Sequence, residues 1–168
     1  MGIFTAAVAL FSNGGVGEHE KKPRNRRSDD DDDAEPKGTV LVIDDDPAFV
    51  EAIRLVLRDA GYNVLTSSTG PKGLDMVRYA PKDVRLVLLD YNMPRFNGAE
   101  TLEFLRKLNP GLKVVAVSGF RVADLPESFH RGVDKFISKP FNNEELLKTM
   151  EEVIEGSPAS EVSVSTSR

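Results

Sequence analysis

The chain contains no cysteine, so disulfide staples, thiolate metal sites and thiol redox chemistry are excluded, and nothing argues for an oxidising compartment. No segment recurs at a fixed period, which excludes a repeat architecture. Long apolar runs are missing too. The N-terminal stretch Ile3 to Phe11 is only nine residues long, whereas a bilayer-spanning helix needs about 20. No Lys or Arg precedes that stretch, the first being Lys21, so it lacks the charged start of a signal peptide. Gly2 suggests myristoylation, but Ala6 stands where that motif needs Ser or Thr. An excess of positive charge is also lacking: the formal net charge is −5 and the sequence pI about 5.1, which argues against a non-specific grip on nucleic acid. The expectation is a cytoplasmic protein with no membrane span and no nucleic-acid partner.

Of the 168 residues, 40% are hydrophobic and 29% charged, enough for one domain of ordinary size plus tails. From Ser12 to Lys37 the sequence is polar, with the basic block Lys21-Lys22-Pro23-Arg24-Asn25-Arg26-Arg27 followed by Asp29 to Asp33. Such a stretch has little to bury, so ordering it would cost entropy without return. The aspartates can neutralise the basic block in cis. Residues 1–37 are therefore expected to form a disordered tail. Residues 157–168, rich in Ser and containing Pro158, are expected to form a second one. The folded domain is assigned to residues 38–156.

Within it, strand and helix signals alternate. Thr39 to Ile43 is a β-branched run ending on Asp44-Asp45-Asp46, and Pro47 suits the first turn of a helix. Phe49, Ile53, Val56, Leu57 and Ala60 recur at helical spacing, and Gly61 stops them. Tyr62 to Ser67 reads as a second strand; Thr69 and Pro71 open a second helix with Leu74, Val77 and Ala80 inward, closed by Pro81. The third strand is the apolar run that ends on Asp90. Asn97-Gly98 leads into a third helix with Leu102, Leu105 and Leu108, and Leu112 to Val117 forms a fourth strand running into Ser118-Gly119. Arg121 to Arg131 reads as a short helix anchored by Leu125 and Phe129, and Val133 to Ser138 as a fifth strand. Asn142 to Glu145 begins a last helix with Leu146, Leu147, Met150, Val153 and Ile154 inward. Five strand–helix units imply a parallel sheet covered on both faces, hence an α/β doubly wound fold.

In such a fold the site lies beyond the carboxyl ends of the strands. That is where Asp44, Asp45 and Asp46, Asp90, Ser118 and Lys139 fall. Converging carboxylates repel one another and call for protons or a hard cation; an oxygen-only set favours Mg²⁺ or Mn²⁺ over zinc. Periodicity alone does not choose a nucleophile. Asp90 stands alone at the tip of the third strand, however, while Asp44 and Asp45 together suit a metal bracket. A carboxylate attacking phosphorus gives an acyl phosphate, and the transferred group needs cations and donors aimed at its oxygens.

Val42-Ile43-Asp44-Asp45-Asp46-Pro47, Leu88-Leu89-Asp90-Tyr91-Asn92-Met93-Pro94, Val117-Ser118-Gly119 and Lys139-Pro140-Phe141 resemble the successive motifs of the response-regulator receiver domain of two-component signalling. The resemblance covers the whole folded part. It implies a flavodoxin-like sheet of order 2-1-3-4-5 with five flanking helices, and a single-domain receiver in which Asp90 takes a phosphoryl group from a histidine kinase or phosphotransfer protein. Asp44 and Asp45 would bracket Mg²⁺ (or Mn²⁺), with Asp90 and the main-chain carbonyl of Asn92 as further ligands. Ser118 would be the switch hydroxyl, Phe136 the switch aromatic and Lys139 the phosphoryl-contacting lysine, with a cis bond before Pro140. The face made by the fourth helix, fifth strand and last helix, with Phe120, Arg121, Val122 and Phe129, would dock a downstream protein or a second copy.

Phe136 lacks the hydroxyl of the commoner tyrosine, so an inward switch must rest on packing, and Gly119 leaves the acyl phosphate open to water or a phosphatase. His19 and His130 are not placed to be phosphohistidines, and nothing after Gly156 looks like an output domain. Catalysis beyond the domain's own phosphorylation and dephosphorylation is not expected. The rivals are a receiver-like binding module that signals without phosphate, and an Asp-nucleophile phosphatase with Asp44 as attacker and Asp46 as acid.

Overall fold

The computed structural model describes residues 35–79 and 84–156. The expectations for the two terminal segments, apart from 35–37, and for Ala80 and Pro81 lie outside the described residues. The elements follow in the order β1 (Thr39–Ile43), α1 (Pro47–Asp59), β2 (Asn63–Ser67), α2 (Gly70–Tyr79), β3 (Val84–Asp90), α3 (Gly98–Leu108), β4 (Lys113–Ser118), α4 (Glu127–Gly132), β5 (Lys135–Ser138) and α5 (Asn143–Glu155), with a single 3₁₀ turn at Val122–Asp124 before α4. All strand pairs are parallel, in the order β2-β1-β3-β4-β5.

The central strands β1, β3 and β4 are largely apolar and buried because each face of the sheet is covered. Leu41, Ile43, Val87, Leu89, Val114 and Ala116 pack with Val77 of α2, Leu102 and Leu105 of α3 and Phe129 of α4. On the other face Val40, Val42, Leu86, Leu88, Val115 and Val117 pack with Ile53 and Leu57 of α1 and Leu146 and Met150 of α5. Each Val, Leu, Ile, Phe or Met among them contributes about 1.5–3 kcal/mol by leaving water. That burial keeps the strand ends, and whatever they carry, in register.

Local chemistry sets the helix ends. The Asp46 carboxylate accepts from the amides of Ala48 and Phe49 and Pro47 takes the first turn. Gly61, at φ +88, provides the left-handed turn after α1 that a side chain would strain. Asn97 and Glu100 exchange hydrogen bonds in a capping box. Asn142 accepts from the Glu145 amide at the start of α5.

Four features differ from the sequence reading. Leu108 is 38% exposed, because α3 turns its last residue off the core face. The segment 121–131 divides at Pro126 into the 3₁₀ turn and α4, with Leu125 and Phe129 buried as its anchors. Phe129, placed above on the docking face, is 1% exposed and belongs to the core, leaving Phe120 and Val122 as the exposed apolar groups there. Lys37, assigned to the tail, is tied to the domain: its amide donates to Gly61 O (3.0 Å) and its carbonyl accepts from Arg85 (2.7 Å).

Candidate functional site

The ends of four strands, β1, β3, β4 and β5, and the loop after β3 meet at the carboxyl edge of the sheet. β1 runs into Asp44, which is 2% exposed, and β3 ends on Asp90, which is 6% exposed; both are carried there by the apolar residues that precede them. Asp45, the next residue after Asp44, is exposed. Carboxylate oxygens of Asp44, Asp45 and Asp90 lie within 4.8 Å of one another. Backbone amides orient the two buried members: Asp46 N–H donates to Asp44 Oδ1 (2.9 Å) and Asn92 N–H to Asp90 Oδ2 (2.7 Å). The loop that follows folds back because Gly98 N–H donates to Tyr91 O (2.9 Å), an approach so close that a Cβ on Gly98 would sit 2.5 Å from Asp90 O.

Lys139 enters from the end of β5. Its ammonium donates to Asp44 Oδ2 (2.7 Å) and Asp90 Oδ1 (3.1 Å) and lies 3.8 Å from the centroid of the Phe49 ring, a cation–π position. Its amide donates to Ser118 O (2.7 Å), which locks β5 to the end of β4, and the bond to Pro140 is cis. Ser118 is wholly buried, and its hydroxyl oxygen accepts from the Phe120 amide (3.1 Å). Asp44, Asp45, Asp90, Asn92 and Lys139 thus line one open cavity of about 430 Å³, bordered by Gly119, where a Cβ would meet nothing within 4 Å.

Of the sequence candidates, Ser118 and Phe136 are not among the residues that line that cavity. Phe136 pairs across from Ala116, half-buried against the α2–α3–α4 side of the core, and lines a separate small cavity with Val122 and His130. His130 Nε2 is buried without a hydrogen-bond partner among the described residues. Asp46 borders the acidic cavity, and its Oδ1 accepts from the amides of Ala48 and Phe49, the role of a helix cap. A larger cavity of about 1030 Å³ lies at the amino ends of the strands near Arg58, Tyr62 and Arg85 and contains none of the clustered aspartates.

The electrostatics are those of an undercompensated cluster. Burial, and then the neighbouring Asp44 charge, push the Asp90 carboxyl above its ordinary value, against the opposing pull of Lys139 and the Asn92 amide. Burial acts to lower the Lys139 ammonium, but its hydrogen bonds to Asp44 and Asp90, together with their charges, outweigh burial and raise it. Two buried carboxylates therefore share one cation, with a third carboxylate alongside. Three carboxylates within reach of one point, with neither imidazole nor thiolate among them, suit a hard divalent cation. The Phe49 ring beneath Lys139 and the Phe120 amide on Ser118 had no signal in the sequence.

A model of the response regulator receiver domain matches residues 40–151. The chain belongs to that family. It is 33% identical over 116 residues to the cell cycle transcriptional regulator CtrA of Caulobacter vibrioides, a match covering 68% of this chain and 49% of CtrA. The cell cycle response regulator CtrA of Brucella abortus is 31% identical over 128 residues, 76% of this chain and 54% of that protein. The chain thus spans about half the length of the curated relatives it matches. Among solved structures, a CheY-like receiver domain protein from Methanospirillum hungatei superposes with a TM-score of 0.65 at 31% identity, covering 71% of this chain and 94% of the other. The response regulator TrrA of Thermotoga maritima, solved in complex with Mg²⁺ and BeF, superposes with a TM-score of 0.61 at 26% identity over 69% of this chain and 98% of TrrA. The flavodoxin-like receiver fold and membership of the two-component response regulators are thereby established. Among the described residues no helix is long and apolar enough to cross a membrane.

Proposed function

We propose that Asp90 is the phosphoacceptor of this receiver. The observation that carries the reading is the convergence of Asp44, Asp45 and Asp90 within 4.8 Å, with Asp44 and Asp90 sharing the Lys139 ammonium. In the transfer step a carboxylate oxygen of Asp90 attacks phosphorus. The new O–P bond forms as the bond from phosphorus to its donor breaks: the P–N bond of a phosphohistidine, whose imidazole leaves with its electron pair and takes up a proton, or the P–O bond of acetyl phosphate, which leaves as acetate. Lys139, already within hydrogen-bond reach of Asp90, meets the charge on the transferred group, and Ser118 turns its hydroxyl toward it.

Asp44, Asp45, Asp90 and the main-chain carbonyl of Asn92 would hold a Mg²⁺ or Mn²⁺ ion, which supplies further positive charge for the phosphoryl oxygens. The donor is a histidine kinase or phosphotransfer protein. Loss of the phosphoryl group is the domain's own hydrolysis, to which the open space at Gly119 admits water. Phosphorylation biases the α4–β5–α5 face toward a second packing. There Phe120 and Val122, 46% and 40% exposed, offer apolar surface to a protein target or a second copy. Sedimentation with and without beryllofluoride tests the second copy, and a monomer in both states at high concentration rules it out.

Borohydride reduces an acyl phosphate to an alcohol. Peptide mapping after phosphorylation and reduction should place that mark on Asp90; a mark on Asp44, Asp45 or another carboxylate overturns the assignment.

A further inference from the structure

The two groups at the site that change state lead by separate routes to one cluster of three rings. Tyr91 follows Asp90 directly in the chain. Its ring meets Phe129 edge-on, with centroids 5.0 Å apart and planes at 67°, and Phe129 is the buried anchor of α4. Phe120 also meets the Tyr91 ring edge-on, at 6.1 Å and 82°. What holds Phe120 is the switch residue itself, since its amide donates to Ser118 Oγ at 3.1 Å.

A purely structural role explains Tyr91 and Phe129, which fill space under α4. It does not explain Phe120, a large apolar side chain left 46% exposed and fixed through its backbone to the Ser118 hydroxyl. Rotation of Ser118 toward Asp90 takes that acceptor away. An amide without its partner is costly unless it finds another or reaches water, so the segment around Phe120 must rearrange. The Phe120 ring then leaves the edge of Tyr91, and edge-to-face aromatic packing, being directional, transmits the change to Phe129 and α4. Phe136 carries no hydroxyl with which to report the state of Ser118.

We propose that Tyr91 and Phe120 are positioning residues that couple the state of Ser118 and Asp90 to the placement of α4 through the Phe120–Tyr91–Phe129 ring cluster. The inference rests on the reading of Asp90 as acceptor and Ser118 as the hydroxyl drawn to it. The ring of Tyr91, rather than its hydroxyl, does the coupling.

The test compares amide hydrogen exchange across Glu127–Gly132 with and without Mg²⁺ and beryllofluoride, scaled to the fraction loaded as read by fluorine NMR. The proteins are the full chain, Tyr91→Phe, Tyr91→Leu and Phe120→Leu. Wild type and Tyr91→Phe should show an α4 response on loading, and in Tyr91→Leu and Phe120→Leu that response should fall by roughly half or more. Should Tyr91→Leu fail to fold, Phe120→Leu, at a half-exposed position, decides. An undiminished response in the loaded leucine variants overturns the coupling and leaves the acceptor reading intact, as does a wild type that loads without any change in α4. A wild type that cannot load overturns the acceptor reading and the coupling with it.

Discussion

The two ends of the sheet carry clusters built from the same kinds of charged residue, with opposite balance. At the amino end, the Asp134 carboxylate just before β5 accepts from Arg106 Nη2 (2.9 Å), Lys113 Nζ (3.4 Å) and the Val114 amide (2.9 Å). Arg106 spends its remaining donors on the carbonyls of Gly132 (2.7 Å), Pro110 (3.4 Å) and Leu112. One carboxylate there faces two cations, and the network ties the end of α3 to the starts of β4 and β5. At the carboxyl end, two buried carboxylates share Lys139 while Asp45 stands beside them. The first cluster is satisfied and structural. The second is undercompensated, which in the proposed reading prepares it for a cation and a phosphoryl group.

The contrast is broken most strongly by removing the satisfied carboxylate. Asp134→Ala leaves the Val114 amide and the Arg106 guanidinium short of a partner and should cost roughly 1–3 kcal/mol of stability in urea unfolding; a loss near zero would show that this network contributes little. Supplying charge to the other end comes next. Mg²⁺ at about ten times its dissociation constant should stabilise the protein by about 1.4 kcal/mol through preferential binding to the folded state. That gain should largely vanish in Asp45→Asn, whereas an equal shift in the variant would place the ion elsewhere.

The smallest effect has the opposite sign to the first. Without divalent ions, Asp90→Asn should stabilise the fold, on the order of 1 kcal/mol, by relieving the crowding of Asp44 and Asp90. Because the folded-state pKa of Asp90 is raised, the native chain binds more protons than the unfolded chain in the acidic window just above the ordinary carboxylate value. The Asp90 contribution to stability therefore falls as pH rises through that window. The advantage of Asp90→Asn should be full at neutral pH and shrink on acidification, which paired melting curves would show. Lys139, raised as well, contributes stability that is lost only as pH rises above its ordinary value of 10.5.

The same contrast explains what could be read from sequence. The carboxyl end was legible because three of its residues terminate apolar runs: Leu88-Leu89 before Asp90, Val42-Ile43 before Asp44, Val117 before Ser118. Burial forces such runs into strands, and a parallel sheet gathers their ends. The amino end was not legible, because Arg106 and Asp134 are 28 residues apart and look like any solvated charges. In sequence Phe129 reads both as an anchor of α4, which it is, and as part of the docking face, which it is not, because a six-residue helix has too little periodicity to show which side faces the core. The pairing of Lys139 with Asp44, 95 residues away, needed the sheet order before it could be seen.

Intact mass after incubation with acetyl phosphate tests the central claim most directly. With Mg²⁺ the protein should gain a single phosphoryl group, and neither Asp90→Asn nor the wild type in excess chelator should gain it. A phosphoryl group retained in Asp90→Asn would contradict the account.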